Sequence, residues 1–210
     1  MSTDLKSGIL SRYVIPYLAL LAALQAFASS GSWMALLNSV DAQGAALRFG
    51  GVGLVSALFW LGAAWFKDVL PRSAKEVLVF WRSGNRMPAH RVFDKQHDNR
   101  IDWQKIRDAG GAPSLSPQEQ NALWYNWYKT YRNDPSVVQS HKSYLAFRDL
   151  AAVAVLSAPG PWLTAALVDM SIGGRLALFA LPVLAWFLAA LAARAKASDM
   201  MYQVLALRSD

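Results

Sequence analysis

Four long runs of apolar positions are separated by polar sequence along this chain. The first is YVIPYLALLAALQAFAS, residues 13–29, and the second is ALRFGGVGLVSALFWLGAAWF, residues 46–66. The third, LAAVAVLSAPGPWLTAALV, covers residues 150–168, and the fourth, RLALFALPVLAWFLAALAA, covers residues 175–193. A hydrocarbon core about 30 Å thick is crossed by a helix of about 20 apolar residues. Helices are the natural choice because lipid offers no partner to free backbone groups. The pattern predicts an all-α, polytopic membrane protein. Four transmembrane helices are expected, with a small, mostly helical cytoplasmic domain inserted between spans two and three. Residues 1–66 would hold the N-terminal tail and spans one and two, and residues 67–149 the cytoplasmic domain. Residues 150–193 would hold spans three and four, and residues 194–210 a cytoplasmic C-terminal tail. The first run reads as a retained span, because no small-x-small cleavage context follows it before more apolar sequence.

Within the third run, SAPGPW interrupts the helical pattern. Pro159, Gly160 and Pro161 remove backbone donors and predict a kink in the span. Small residues recur every four positions at Ala185, Ala189 and Ala193, and again at Gly53 and Ala57. That spacing allows close approach of helix backbones, within one bundle or between copies of the chain.

The central segment carries local helix signals. SAKE, Ser73 to Glu76, has the spacing of a capping box and predicts a helix over 74–82, ended by GNRMP. A short helix is expected after Asp102, stopping at Gly110 and Gly111. The strongest signal is SPQEQNALWYNWYKTYRNDP. Ser116 suits the N-cap, Pro117 the first helical position, and Glu119 the third. Asn133 stops this helix, and Asp134-Pro135 starts another that can run through VVQSHKSYLAFRDL into the third apolar run. Leu123, Trp124, Trp127, Tyr128 and Tyr131 share one helical face and are expected to form a small core. Tyr125 lies off that stripe. Trp124, Tyr125 and Tyr128 are the candidate contacts for a partner, since aromatic faces also serve as stacking surfaces.

Composition strengthens the membrane reading. Hydrophobic residues make up 54% and charged residues 17%, against about 45–50% and about 25% in an ordinary soluble domain. The net charge of +7 has a topological explanation before a nucleic-acid one. Of the 21 Lys and Arg residues, all but Arg48 and Arg175 fall on the side shared by the termini and the central segment. Basic residues stay on the cytoplasmic side during insertion, so this side is assigned to the cytoplasm of a bacterial inner membrane. Nucleic acid is disfavoured as a partner. The absence of cysteine excludes disulfides, thiolate nucleophiles and cysteine zinc sites. The span interiors offer Gln25, Ser56, Ser157 and Thr164 but no acid or histidine, which argues against a proton-coupled carrier.

Chemistry concentrates in AHRVFDKQHDNRID, residues 89–102, where His90, Asp94, Asp98 and Asp102 recur every four positions. On a continuous helix they would line one face. His90, Asp94, His97 and Asp98 are the candidates for acid–base catalysis, with His141 remote from them. Against this, Asp98-Asn99 suits a helix interior poorly, Asp102 resembles a cap, and Arg91, Lys95 and Arg100 stand ready to form surface ion pairs. No metal site and no cofactor are assigned. A phosphate-binding P-loop, a G-x-S-x-G elbow and an H-E-x-x-H motif are all missing. The overlapping stretch RSGNRMPAHR places Arg82, Arg86, His90 and Arg91 around Gly84 and Pro88. Guanidinium forks in such a loop suit an anion, including an anionic lipid headgroup.

The balance is against an enzyme. The expected function is a membrane module whose cytoplasmic domain binds a protein partner or an anionic ligand and couples it to the spans. A homo-oligomeric pore or membrane-disrupting effector of bacterial stress or defence is one form of it. The alternatives are a membrane-bound hydrolase or transferase using the His/Asp cluster, and a structural subunit of a membrane complex. Membrane lipids are partners in every version.

Overall fold

The computed structural model describes residues 68–96, 98–167 and 172–210, together with positions 15, 16, 19, 62, 63 and 66. The regular elements among the described residues are all helical. They are α1 (Arg72–Phe80), a 3-10 turn (Pro88–Arg91), α2 (Trp103–Asp108), α3 (Pro117–Tyr131), α4 (Pro135–Ser157), α5 (Pro159–Leu167) and α6 (Ile172–Ser209).

The all-α character stands, but the four-span topology is corrected. Among the described residues, one helix, α6, is long and apolar enough to cross a membrane. The third expected span, 150–168, is not a single helix. Helix α4 ends at Ser157, and α5 restarts at Pro159 with nine residues. Nine residues rise about 14 Å, roughly half of a hydrocarbon core. The cause is the proline pair, since each proline withholds an N–H and clashes with the preceding turn. Pro159 instead takes the start of a new helix, where a missing N–H costs least. The first two expected spans, 13–29 and 46–66, lie outside the described residues apart from the isolated positions named above.

The chain divides into two compact units, one of residues 1–71 and 149–188, the other of residues 72–148 and 189–210. In the first unit, Ala63 and Val153 are buried together, with Leu150 and Leu156 packed against them. Along its part of α6 large apolar side chains are exposed instead, among them Ile172, Leu176, Val183, Leu184 and Leu188. Exposed apolar side chains grouped on one helix are a feature of lipid-facing and protein-facing surfaces. Trp162 and Phe179 stack with ring centroids 5.9 Å apart.

The second unit has its own core. Val92, Phe93, Ile106, Trp124, Trp127 and Val204 are among its buried members. Phe93 meets Trp127 edge-on, with centroids 5.6 Å apart. Of residues 194–210, expected above as a tail, 194–209 are helical and supply Met200, Met201, Val204 and Leu205 to this core. The end of α6 is also tied by hydrogen bonds. Lys105 Nζ donates to the Ser209 carbonyl at 2.7 Å, and the Asp102 amide donates to Ser209 Oγ at 3.2 Å. A cation on the last carbonyls also complements the helix dipole.

Local chemistry explains the helix ends of this unit. Ser116 accepts from the Glu119 amide, Glu119 reaches back to the Ser116 amide at 2.8 Å, and α3 follows from Pro117. Asp102 caps α2 by accepting from the Gln104 and Lys105 amides. Asp134 Oδ1 accepts from the Ser136 amide at 2.8 Å where α4 begins. Helix α1 departs from the expected 74–82. It starts at Arg72, directly after Pro71, so Ser73 lies inside its first turn rather than capping it. It ends at Phe80 because Trp81 adopts φ 54°, in the left-handed region.

Candidate functional site

Two cavities lined by described residues lie within the second unit; one holds Arg82, Arg86 and Arg91, the other His90, Trp124, Tyr125 and Tyr128. The first, of about 560 Å³, is lined by Arg82, Arg86, Arg91, Lys95 and Arg194, with no Asp or Glu among its lining residues. Phe80, Pro88, Val92 and Met201 are its apolar lining residues, and Ser198 and Tyr202 complete the lining.

The loop after α1 builds the cationic side. Left-handed backbone at Trp81 and again at Asn85, φ 45°, folds the chain back on itself. Arg86 Nε then donates to the Arg82 carbonyl at 3.2 Å, holding the two arginines together. The 3-10 turn Pro88–Arg91 carries Arg91, and Lys95 follows it. Arg194 enters from α6. Its Nε donates to the Val79 carbonyl at 2.6 Å, and its guanidinium carbon lies 3.5 Å from the Trp81 ring centroid. One terminal nitrogen of Arg194 is buried with no hydrogen-bond partner. Desolvation by burial lowers the Arg194 pKa, and the charge of Arg82 lowers it further. Arg82 and Arg194 line one cavity that has no Asp or Glu in its lining.

The neighbouring aspartates make no ion pair with this cluster among the described residues. Asp94 Oδ1 accepts from Gln120 Nε2 at 2.8 Å. Asp98 is gripped by Arg100 through two contacts, Nε at 3.0 Å and a terminal nitrogen at 2.7 Å. Asp199 pairs with Lys196 at 2.9 Å. Arg82, Arg91 and Lys95 form no ion pair among the described residues.

The second cavity, of about 590 Å³, is aromatic. Tyr128 is stacked between two rings, its centroid 5.3 Å from that of Trp124 and 6.0 Å from that of Tyr125. His141 meets Tyr128 edge-on and shares a 3.0 Å hydrogen bond with its hydroxyl through Nδ1. Burial lowers the His141 pKa first, and Arg148 and Arg72 lower it further, which favours the neutral ring. Burial raises the Tyr144 pKa to about 12. Arg72 and Glu76 at its edge are paired at 2.6 Å. Trp124 is buried with its indole N–H unpartnered, while Tyr125 is 49% exposed.

The regular spacing of His90, Asp94, Asp98 and Asp102 does not become a surface. The backbone passes from a 3-10 turn into turns and open loop over the described residues 88–96 and 98–102, so no one helix carries all four. His90 Nδ1 bonds the Pro117 carbonyl at 3.0 Å and lines the aromatic cavity, not the basic one. Asp94 serves Gln120, Asp98 serves Arg100, and Asp102 caps α2. His97 lies outside the described residues. No group of three or more His, Asp or Glu is placed to hold a metal ion among the described residues. Pro159, Gly160 and Pro161 open α5.

Of the four residues read as anion-binding, Arg82, Arg86 and Arg91 share one cavity and His90 does not. Sequence reasoning missed Arg194 and Lys95. Arg194 is about a hundred positions from the other four cations, and no local pattern links them. Lys95 was read as a partner of the aspartates. Comparison with protein-family models, with curated proteins and with solved structures gives no match.

Proposed function

We propose that this chain is a non-enzymatic, membrane-associated protein whose second unit receives an anionic ligand in the basic cavity. The observation that supports this reading is a cavity lined by five cations and no acid, while the adjacent aspartates are engaged elsewhere. Guanidinium groups present several donors in fixed geometry, which suits phosphate and carboxylate oxygens. The apolar length of α6 supports membrane association. The positive charge of the second unit favours, within this proposal, the cytoplasmic face of a bacterial inner membrane.

Titration of the full chain, purified in a neutral detergent, with inorganic phosphate tests the anion reading. Phosphate is expected to raise the unfolding temperature, and Arg91→Gln to reduce that rise. An unfolding temperature that ignores phosphate up to tens of millimolar at constant ionic strength would overturn it.

A further inference from the structure

The basic cavity has more charge than a simple anion can use. Five cations from two distant stretches, residues 82–95 and Arg194, surround one space. A phosphate monoester carries about −1.5 to −2 at neutral pH, so one such group leaves most of the cluster uncompensated. The lining also includes the apolar side chains of Phe80, Pro88, Val92 and Met201. A small inorganic anion offers those side chains no apolar contact.

We infer that the cavity takes an organic anion bearing two phosphate groups, held across Arg82, Arg91 and Lys95 on one side and Arg194 on the other. The inference rests on the anion-binding reading above and names its ligand class. Arg194 has a particular place in it. Its Nε is occupied by the Val79 carbonyl and one face by Trp81, which fixes the guanidinium relative to the loop. Trp81 holds that position with left-handed backbone, φ 54°, where a bulky L-residue is strained. Strain kept in place beside a crowded cluster of like charge is expected at a binding site. Arg82 and Arg194 line the same cavity, and a multivalent anion bridging them offsets their mutual repulsion.

The same chemistry is available from a soluble diphosphate ester or from a membrane lipid with a phosphomonoester headgroup beside its linking phosphate. The experiment uses the full chain in nanodiscs of phosphatidylcholine. Calorimetric titration compares inorganic phosphate, inorganic pyrophosphate and adenosine diphosphate at fixed ionic strength. Pyrophosphate is expected to bind at least ten times more tightly than phosphate, and adenosine diphosphate at least as well as pyrophosphate. Arg82→Gln, Arg91→Gln and Arg194→Gln are each expected to weaken pyrophosphate about tenfold, and Lys129→Gln, outside the cavity, to leave it unchanged.

If phosphate binds and pyrophosphate binds no better, the diphosphate inference fails and the anion reading survives. If neither binds, both fail. Should Arg194→Gln prevent folding, the exposed Arg91→Gln carries the test, and unchanged pyrophosphate affinity there overturns the inference. Nanodiscs containing phosphatidylinositol 4-phosphate separate the sources. Loss of pyrophosphate binding in them, restored by replacing that lipid with phosphatidylcholine, identifies the lipid headgroup. Undiminished pyrophosphate binding identifies a soluble ligand.

Discussion

The guanidinium carbon of Arg194 lies 3.5 Å from the centroid of the Trp81 ring, and Trp81 adopts φ 54° to put it there. The ring is 44% exposed, so burial alone does not hold it. A cation over an aromatic face contributes about 0.5–2 kcal/mol, depending on how far it is desolvated. Left-handed backbone costs an ordinary L-residue roughly 1–2 kcal/mol. The two effects are comparable, which makes the position informative.

Replacing Trp81 separates them. Both Trp81→Ala and Trp81→Gly lose the stack on Arg194, but glycine takes φ 54° without a Cβ penalty. In urea unfolding, Trp81→Gly is expected to be more stable than Trp81→Ala by about 1 kcal/mol. Equal stabilities would mean that the left-handed backbone is not retained once the ring is gone.

Gln120 joins the start of α3 to the loop that follows the 3-10 turn. Its Oε1 accepts from the buried Phe93 amide at 3.1 Å, and its Nε2 donates to Asp94 and to the Leu115 carbonyl. Gln120→Leu keeps most of the volume and removes all three bonds. The orphaned Phe93 N–H predicts a loss of about 1–3 kcal/mol in chemical unfolding. A neutral result would show that water replaces the amide.

Glycines 84 and 111 provide a matched pair. A Cβ on Gly111 would fall 2.7 Å from Ile106 Cγ2 and 3.0 Å from the Ile106 carbonyl oxygen, while one on Gly84 would meet nothing within 4 Å. Gly111→Ala is expected to cost about 1–3 kcal/mol through overpacking. Gly84→Ala is expected to leave the unfolding midpoint within error or to raise it slightly. Similar losses at both sites would contradict the packing around Ile106 and Phe93.

Protonation of His141 opposes folding. Its folded-state pKa lies below the ordinary 6.5, because burial, Arg148 and Arg72 all disfavour the cation. The unfolded chain therefore binds a proton more readily than the folded one. This histidine's contribution is fully present above pH 6.5 and is lost as the pH falls from there through the lowered folded value. Stability measured from pH 7.5 to 5 is expected to decline less steeply in His141→Gln than in the parent chain. Parallel curves would remove His141 as the cause.

Glu119 and Asp134 add a second acid-sensitive range. Hydrogen bonds from Ser116 and Ser136 hold both carboxyl pKa values below the ordinary range. Their support is present above the ordinary carboxylate pKa and is lost as the pH falls through the lowered values. Ser116→Ala is expected to cost about 1 kcal/mol at pH 7, and that difference is expected to shrink on acidification. A difference that stays constant down to pH 2 would show that the capping bonds do not depend on the charge of Glu119.

What the sequence alone determined is local. The SPQE capping box, the Asp102 cap and the Asp134-Pro135 start are read correctly because each depends on groups within three residues of one another. The aromatic stripe of α3 is legible for the same reason, since helical spacing decides which rings share a face, and Trp124 and Trp127 are buried. The proline pair at 159 and 161 announces a break, but whether the helix bends or stops is not contained in those residues.

Only the tertiary structure decided what the polar residues do. Every-fourth spacing over 90–102 promised one His/Asp face, yet each described member was drawn to a different partner, at Pro117, Gln120, Arg100 and the α2 amides. Hydrogen bonds between side chains are directional and short-ranged, so they follow whichever groups the fold brings near. Arg194 makes the same point for charge. More than a hundred residues from Arg82 along the chain, it meets the loop through the packing of α6 in the second unit's core. Spatial convergence of like charge leaves no trace in periodicity or composition, because a sequence records order along the chain and a binding site is defined by distance across it.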